Sequence, residues 1–276
     1  MTKTAAPMTS GSIWKQMTFF AMPIFLGNLF QQLYNTVDSL IVGNFLGSSA
    51  LAAVSSSGSL IFMLIGFLSG ISAGAGVIVA RFFGAGDEKN LQRAVHTTVA
   101  FGLVAGVLMT GVGVALSPQI LRWMDTPESV MRESVTYLQI YFAGSLGFVM
   151  YNVLVGILQA VGDSRHPLYY LIVSSVINLV LDLLFITGFH TGVGGAAVAT
   201  VISQIVSALL CFWQLLRTKE SYGLKIRKIR FDKGILVQII KIGLPSGVQN
   251  SIIAFANVIV QSNINAFGEM AMAGYG

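Results

Sequence analysis

The chain has 276 residues, of which 54% are hydrophobic and only 10% are charged, with a formal net charge of +5 at pH 7. Soluble domains carry about 25% charged residues, so this composition excludes a water-exposed globule and makes the lipid bilayer the solvent. The single cysteine, Cys211, excludes a disulfide framework within the chain. The three histidines lie far apart, which disfavours a metal-dependent membrane enzyme.

Seven stretches are long and apolar enough to be membrane-crossing helices, each of which needs about 20 residues. They are 17–42, 52–80, 94–116, 134–158, 168–189, 195–216 and 236–265. These runs exceed the roughly 9–11 residues of a barrel strand and do not alternate. We therefore predict an all-α polytopic membrane protein. We expect no cleavable signal peptide, because the polar first sixteen residues lead into an apolar stretch that is too long for one.

Lysine and arginine are unevenly divided between the two sides of the membrane. With a cytoplasmic N-terminus, fourteen of the sixteen fall in inner segments, and only Arg122 and Arg132 fall in outer ones. This asymmetry follows the positive-inside rule and predicts a multi-pass protein of the plasma or inner membrane. The basic run 217–233 follows span six directly, so we interpret it as a cytoplasmic retention signal rather than a nucleic-acid patch. Attraction to anionic lipid is a secondary alternative.

The chain contains an internal repeat with an offset of 222 residues. The matching pairs are Pro23 with Pro245, Asn28 with Asn250, Asn35 with Asn257 and Phe45 with Phe267. We interpret the repeat as two similar six-helix halves related by an axis along the membrane normal. Doubling the repeat leads us to expect a protein of about 440–450 residues, of which this chain is a truncated part.

Four units follow from the spans and the repeat. They are a cytoplasmic N-terminal segment (1–16), a six-helix transmembrane lobe (17–216), a basic cytoplasmic inter-lobe loop (217–234) and the start of a second lobe with span seven (235–276).

Polar residues recur at helical spacing within four spans. In span one, Asn28, Gln31, Asn35 and Asp38 are 3, 4 and 3 residues apart and share one helix face. Similar stripes occur in spans four, five and seven: Ser145, Asn152 and Gln159; Ser174, Asn178 and Asp182; Ser246, Asn250, Asn257 and Gln261. Polar groups are costly in hydrocarbon. We predict a solvated cavity lined by Asn28, Gln31, Asn35, Asn152, Asn250 and Asn257, with helix-to-helix amide bonds as the alternative.

Asp38 and Asp182 are the only acids within the spans, and no basic residue lies at their depth. Both lie late in outward-going spans, and Thr200 lies early in an inward-going one, so all three belong to the outer half of the bilayer. Asn178 is one turn from Asp182 on the same face. Isolated intramembrane carboxyls are proton carriers or cation ligands by default, and such oxygen ligands suit a hard monovalent cation or a shared proton. The alternative is a pair of structural acids satisfied by amides.

Five segments, in chain order, resemble the multidrug and toxic compound extrusion (MATE) family. The first is similar to that family's span one: 23–47 (PIFLGNLFQQLYNTVDSLIVGNFLG). Two more resemble the loops after spans two and four: 76–87 (GVIVARFFGAGD) and 158–165 (LQAVGDSR). The last two resemble parts of spans five and six: 178–182 (NLVLD) and 194–200 (GGAAVAT).

The resemblance implies twelve spans in two six-helix lobes around a central cavity. It also implies export of amphipathic, often cationic compounds in exchange for inward H⁺ or Na⁺. Four residues match the family's cation or proton site: Asp38, Asn178, Asp182 and Thr200. Pro23 matches the proline at which the first helix bends, so it is a candidate hinge, with a static kink as the alternative. In contrast to some members, no acid lies between Ser246 and Gly268, so coupling should rest on the first lobe.

We therefore expect a cation-coupled antiporter that works by alternating access. It should need no cofactor beyond H⁺ or Na⁺ and no resident metal, with transient Na⁺ at Asp38, Asn178, Asp182 and Thr200. The expected partners are small amphipathic or cationic substrates and membrane lipids, without nucleic acid, and the full-length protein should be a monomer.

Two other functions fit the sequence less well. A flippase for a lipid or a lipid-linked saccharide would need cationic residues within the spans to hold phosphate, and the six spans of the first half have none. An intramembrane enzyme would need a nucleophile–base pair or metal ligands at helical spacing, so we do not expect an enzyme. One lobe alone cannot close a two-lobed cavity, so the chain by itself would carry out no transport.

Overall fold

The computed structural model describes residues 12–275 as a bundle of long helices. These are α1 (Ile13–Leu46), α2 (Ser48–Gly84), α3 (Glu88–Trp123), α4 (Glu128–Ala143), α5 (Ser145–Ala160), α6 (Arg165–Leu183) with a π-helical turn (Leu184–Gly188), α7 (Gly192–Arg217), a 3₁₀ turn (Ile226–Lys228), α8 (Lys233–Asn265) and α9 (Glu269–Tyr275). The all-α prediction is confirmed, and the seven predicted stretches fall on these helices, the fourth of them across both α4 and α5. The first eleven residues, which belong to the predicted cytoplasmic segment 1–16, lie outside the described part of the chain.

Five of the described helices are long and apolar enough to cross a bilayer, and α4 with α5 makes a sixth if that bent pair is one span. Helix α1 is not among them, although its 34 residues are long enough. The polar residues of its stripe lower the mean hydropathy of this helix. The division into six spans plus a seventh, and the four units drawn from it, therefore stay predictions.

Span four differs from the single helix predicted over 134–158. It consists of α4 and α5, which meet at Gly144 with a bend of 50°. A Cβ on Gly144 would lie 2.3 Å from Val201 Cγ1 of α7. The bend is therefore built around a close approach to α7 that only glycine permits. The sequence pattern concealed it, because apolar residues continue through the glycine on both sides.

Helices α2 and α8 form the most extensive helix pair of the described chain. A Cβ on Gly70 would lie 2.2 Å from Gly247 N, and one on Gly74 would lie 2.4 Å from Gly243 Cα. Small residues at this spacing let two backbones touch, which is how helices gain van der Waals contact in lipid. We call these four residues the glycine seam.

The C-terminal end of α8 is tied to the preceding helices by buried amides. Asn265 Nδ2 donates to the carbonyl oxygen of Met124 at 2.9 Å. Gln261 Nε2 donates to Asn265 Oδ1 at 3.0 Å, and Ser59 Oγ of α2 donates to Gln261 Oε1 at 3.3 Å. Gln261 and Asn265 are each 1% exposed. These residues thus satisfy the predicted alternative, in which amides bond helix to helix.

The segment between α7 and α8, 218–232, folds back onto the start of α3. The buried His96 donates from Nδ1 to the carbonyl oxygen of Gln92 at 2.6 Å and accepts at Nε2 from the backbone N–H of Lys225 at 3.0 Å. Gln92 Nε2 donates to the carbonyl oxygens of Ser221 and Gly223. This segment, which we call the linker, therefore lies on the same side of the membrane as the α2–α3 turn.

The linker ends at Asp232, which caps the N-terminus of α8. Its Oδ1 accepts from the backbone N–H of Ile235 at 3.1 Å, and its Oδ2 accepts from Arg93 Nε of α3 at 2.8 Å. The hydrogen bond from Ile235, followed by the Arg93 guanidinium, holds the pKa of the Asp232 carboxyl below its usual value.

Candidate functional site

The structure brings the four residues of the predicted cation or proton site together. Asn178 and Asp182 lie on successive turns of α6, Thr200 lies on α7 and Asp38 lies on α1. Asp182 is 0% exposed and Asn178 is 1% exposed. The site is thus a buried junction of three helices.

Asn178 is the centre of the hydrogen bonds at this junction. Because a carboxylate only accepts and a backbone N–H only donates, the amide is oriented with its nitrogen towards Asp182. In this orientation Asn178 Nδ2 donates to Asp182 Oδ2 at 2.6 Å, and its oxygen accepts from Thr200 N at 3.1 Å and from Tyr34 Oη at 3.3 Å. One amide therefore links α1, α6 and α7.

The carboxyl groups of Asp38 and Asp182 lie within hydrogen-bonding reach of each other. Oδ1 of each is buried and receives no hydrogen bond from the described residues. The described ion pairs lie elsewhere, at Arg93–Asp232 and His166–Asp163. Two acceptor groups so close to each other can share a proton or hold a cation between them.

The chemistry of the donor set is that of hard oxygen ligands: two carboxyls, one amide and one hydroxyl. No group of three or more His, Cys, Asp or Glu side chains capable of holding a metal ion occurs in the described part of the chain. Carboxyl and amide oxygens are ligands that suit H⁺ and Na⁺.

Two cavities lie along α1, and residues of the predicted polar stripes line part of each. One, which the predicted orientation makes the inner cavity, has a volume of about 640 Å³ and is lined by Asn28, Gln31 and Asn152 and also by Pro23. The other, the outer cavity in that orientation, has a volume of about 500 Å³ and reaches the site: it is lined by Gln31, Asn35, Asp38, Thr200 and Asn257. Gln31 borders both cavities, so the polar face of α1 runs from one to the other.

Asn250, which was also expected to line a cavity, contacts the backbone of α2 instead. It is not among the residues that line either cavity, and its Nδ2 donates instead to the carbonyl oxygen of Gly66 on α2, at 3.4 Å. The close approach of α2 and α8 along the glycine seam turns this position towards the neighbouring backbone. Pro23 lies inside α1, which runs as one α-helix from Ile13 to Leu46, and its role as a hinge stays a prediction.

Sequence reasoning missed the aromatic and amide residues that complete the junction. Tyr34 donates to Asn178, and Tyr137, Tyr141 and Gln204 line the outer cavity with it. Tyr34 precedes Asp38 by four residues, so it shares the polar face of α1. That spacing was visible in the sequence, but a tyrosine in an apolar span is also an ordinary core residue.

A narrow fissure of about 210 Å³ between α1 and α6 reaches the same acids from the outside of the bundle. Asp38, Asn178 and Asp182 lie among its lining residues. Its other walls include Leu33 and Val176, which are 54% and 56% exposed. The carboxyl pair therefore lies between the polar outer cavity and an apolar face of the bundle.

A bundle of apolar helices around cavities with polar side chains in their walls, with a carboxyl pair at the edge of one of them, defines a polytopic membrane transport protein. Residues 23–184 match the MatE family. The chain belongs to this family, the multidrug and toxic compound extrusion (MATE) transporters, and the resemblance predicted from its five segments is confirmed.

Known relatives match nearly the whole chain. It is 35% identical over 272 residues to the probable multidrug resistance protein YoeA of Bacillus subtilis, covering 96% of this chain and 59% of that protein. It is 25% identical over 266 residues to the multidrug export protein MepA of Staphylococcus saprophyticus, again covering 96% and 59%.

The fold is also that of a solved transporter. An inward-facing multidrug resistance MATE family transporter of the MOP superfamily superposes with a TM-score of 0.82 at 29% identity, over 89% of this chain and 56% of that one. The chain spans less than two thirds of the length of the relatives it matches.

Proposed function

We propose that this chain is the first lobe of an antiporter that exports small amphipathic, often cationic compounds across the cell membrane in exchange for H⁺ or Na⁺. The observation that carries the proposal is the buried pair of carboxyl groups, Asp38 and Asp182, each with an oxygen that no described donor satisfies. Membership of the MATE family supports the cargo, since its named relatives are multidrug resistance and export proteins.

The coupling of cation binding to export follows from the charge of this carboxyl pair. Two ionised carboxyls at hydrogen-bonding distance repel each other, and a shared proton or a bound Na⁺ removes the repulsion. Asp38 belongs to α1, whereas Asp182 belongs to α6. An occupied pair therefore holds α1 against α6, and an empty pair favours their separation. A ligand shifts such an equilibrium only by its differential affinity for the two states.

The polar face of α1 connects this event to the cargo. Asn28 and Gln31 border the inner cavity, and Gln31 and Asn35 border the outer one. A movement of α1 changes both cavities together, so cation entry from outside can accompany release of the compound outwards. The inward cation gradient supplies the direction.

The proposed location is the cell membrane, with a cytoplasmic N-terminus. Fourteen of the sixteen lysines and arginines fall on the side that this orientation makes cytoplasmic. The linker carries many of them, and its hydrogen bonds with the start of α3 put both segments on one side.

The test is to change Asp38 to Asn, and separately Asp182 to Asn, in the longer protein that contains this chain. Each change keeps the side-chain shape and removes the titratable group, so we expect export to fall to the level of cells without the exporter at unchanged expression. Dye efflux from vesicles, with a pH gradient or a Na⁺ gradient imposed separately, measures coupling and identifies the driving ion.

Asp125→Asn is the matched control. Asp125 is an exposed acid at the outer end of α3 with φ +51°, a conformation that asparagine adopts readily. Its export should equal that of the unchanged protein. Gradient-driven efflux by the Asp38→Asn protein at the normal rate would contradict the assignment of the coupling site.

A further inference from the structure

We propose that the inner-leaflet half of α7 is a binding site for an anionic phospholipid. The inference does not depend on export. It rests on an apolar groove along α7 and on the cationic side chain at the end of that groove.

The groove is where the acyl chain of the lipid would lie. It has a volume of about 540 Å³, and nearly all of its lining is apolar: Val206, Leu209, Leu210, Phe212, Trp213 and Leu216. These residues recur at helical spacing along one side of α7. From Val206 to Leu216 the helix rises about 15 Å at 1.5 Å per residue. That length equals the depth of one leaflet, about half of the 30 Å hydrocarbon core.

The headgroup end is marked by Arg217, the last residue of α7. Its guanidinium carbon lies 4.5 Å from the ring centroid of Trp213, one turn earlier on the same face. Cation–π stacking fixes the guanidinium plane, and tryptophan at this depth is typical of the membrane interface. The guanidinium is thus held directly above the cytoplasmic end of the apolar groove.

Arg217 is free to take a phosphate. It forms no ion pair with any carboxylate of the described residues, which pair cations only at Arg93–Asp232 and His166–Asp163. A planar guanidinium matches the oxygens of a phosphate group better than an ammonium does.

The surrounding charge favours an anionic over a zwitterionic headgroup. Over 217–233 the chain has seven cations (Arg217, Lys219, Lys225, Arg227, Lys228, Arg230 and Lys233) and two acids (Glu220 and Asp232). Asp232 is already paired with Arg93. The linker carries five of the other cations, and the backbone N–H of Leu224 in the linker donates to the carbonyl oxygen of Leu215 on α7 at 2.8 Å, so this positive charge stays near the end of α7. An anionic lipid of the cytoplasmic leaflet, with its tail along α7, satisfies both features.

The experiment uses Trp213 as the reporter. The 276-residue chain, with Trp14 and Trp123 changed to Phe, is reconstituted in phosphatidylcholine vesicles that contain acyl-brominated phosphatidylglycerol or acyl-brominated phosphatidylcholine. Bromine quenches a tryptophan that it contacts. We expect phosphatidylglycerol to bind beside Trp213 about fivefold more tightly than phosphatidylcholine, and Arg217→Gln to bring the two lipids to parity.

Arg227→Gln is the matched control, since it removes one exposed cation of the linker that is not among the residues lining the groove. It should leave the preference unchanged. Equal quenching by the two lipids in the parent protein would overturn the proposal. So would an equal loss of preference in Arg227→Gln and Arg217→Gln, which would show diffuse attraction to the whole linker.

A second measurement keeps all three tryptophans. Native mass spectrometry should show phosphatidylglycerol retained by the unchanged chain and about fivefold less by Arg217→Gln. Glycerophosphoglycerol, the headgroup without acyl chains, should not displace the lipid. If this soluble headgroup competes as well as the lipid, the groove has no part in binding and the site is wrong.

Discussion

At the scale of single residues, Asn178 holds the candidate site in one arrangement. Its amide satisfies Asp182 Oδ2 on one side, and Thr200 N and Tyr34 Oη on the other. The remaining carboxyl oxygens, Oδ1 of Asp38 and of Asp182, have no donor. The site thus orients the two acids and leaves each of them one oxygen for a proton or a cation.

We predict that Asn178→Leu destabilises the bundle. The change removes the donor to Asp182 and the acceptor for Thr200 N, and an unsatisfied buried polar group costs about 1–3 kcal/mol. Cys211 is the only cysteine and is 0% exposed, so a thiol-reactive dye reports unfolding directly. The melting temperature measured with this dye should fall.

Asn44→Leu is the control for this substitution. Asn44 is exposed, and its amide donates to Leu40 O within α1 at 2.8 Å. Its effect should stay within about 0.5 kcal/mol. Equal melting temperatures for the two variants would mean that the junction amide does not stabilise the site.

At the scale of helices, the glycine seam decides how closely α2 and α8 pack. A side chain at Gly70 or Gly74 would overlap the backbone of α8, since the added Cβ would lie 2.2–2.4 Å from Gly247 or Gly243. Backbone atoms in a helix cannot relieve such an overlap, whereas a side chain could by changing its rotamer. Any larger residue there must push the two helices apart.

Gly70→Ala should therefore destabilise the chain, although alanine is the better helix former. Forced separation of packed elements costs about 1–3 kcal/mol, which exceeds the roughly 1 kcal/mol that alanine gains in a helix interior. Gly58→Ala on the same helix meets nothing within 4 Å and should be neutral or slightly stabilising. Cys211 dye melting compares the two, and equal shifts would argue against the seam.

The linker also acts at this scale, through Asp232. Because the folded-state pKa of Asp232 is lowered by Ile235 N–H and Arg93, its contribution to stability is present above the ordinary carboxyl pKa of about 4. It is lost as the pH falls through the lowered value. The cap of α8 should therefore loosen in acid.

Hydrogen exchange of the backbone amides at 224–236 tests this expectation. Protection of the unchanged chain should fall below about pH 4. Asp232→Asn keeps a capping side chain but not the charge. Protection in this variant should be weaker at neutral pH and should change little as the pH is lowered. Glu220→Gln, an exposed acid of the same linker, should keep the parent profile. If Asp232→Asn showed the same pH profile as the unchanged chain, a group other than Asp232 would cause the loss of protection in acid.

At the scale of the whole molecule, both ends of α8 are attached to the helices that precede it. Asp232 and Arg93 join them at one end, and Asn265 with Met124 O joins them at the other. The glycine seam lies between. Within the described chain, α8 therefore packs as part of one bundle with α1–α7.

The orientation of this bundle gives a further prediction. Single cysteines at Lys89 and Lys225, in a Cys211→Ala background, should react with a membrane-impermeant maleimide only after the cells are opened. A cysteine at Arg122 should react from outside. Labelling of the first two in intact cells would reverse the topology and place the basic linker outside.

The sequence by itself indicated the membrane class, the approximate positions of the helices and the family, and it named the four candidate residues that the structure brings together. These depend on local properties: how many apolar residues follow one another, and which polar residues recur at the 3.6-residue period. Asp38 and Asp182 were predicted to be at one depth because span direction and position along a helix fix depth. The orientation also comes from this level, and it stays a prediction.

The tertiary structure alone decided which groups touch. The bend at Gly144, the glycine seam and the turning of Asn250 towards Gly66 depend on residues more than fifty positions apart. So does Tyr34, whose hydroxyl meets an amide of α6. Helical periodicity states which residues share a face, but not which neighbour that face meets. That choice is made by the packing of all the helices together, because in lipid it rests on close backbone approach and satisfied polar groups rather than on apolarity.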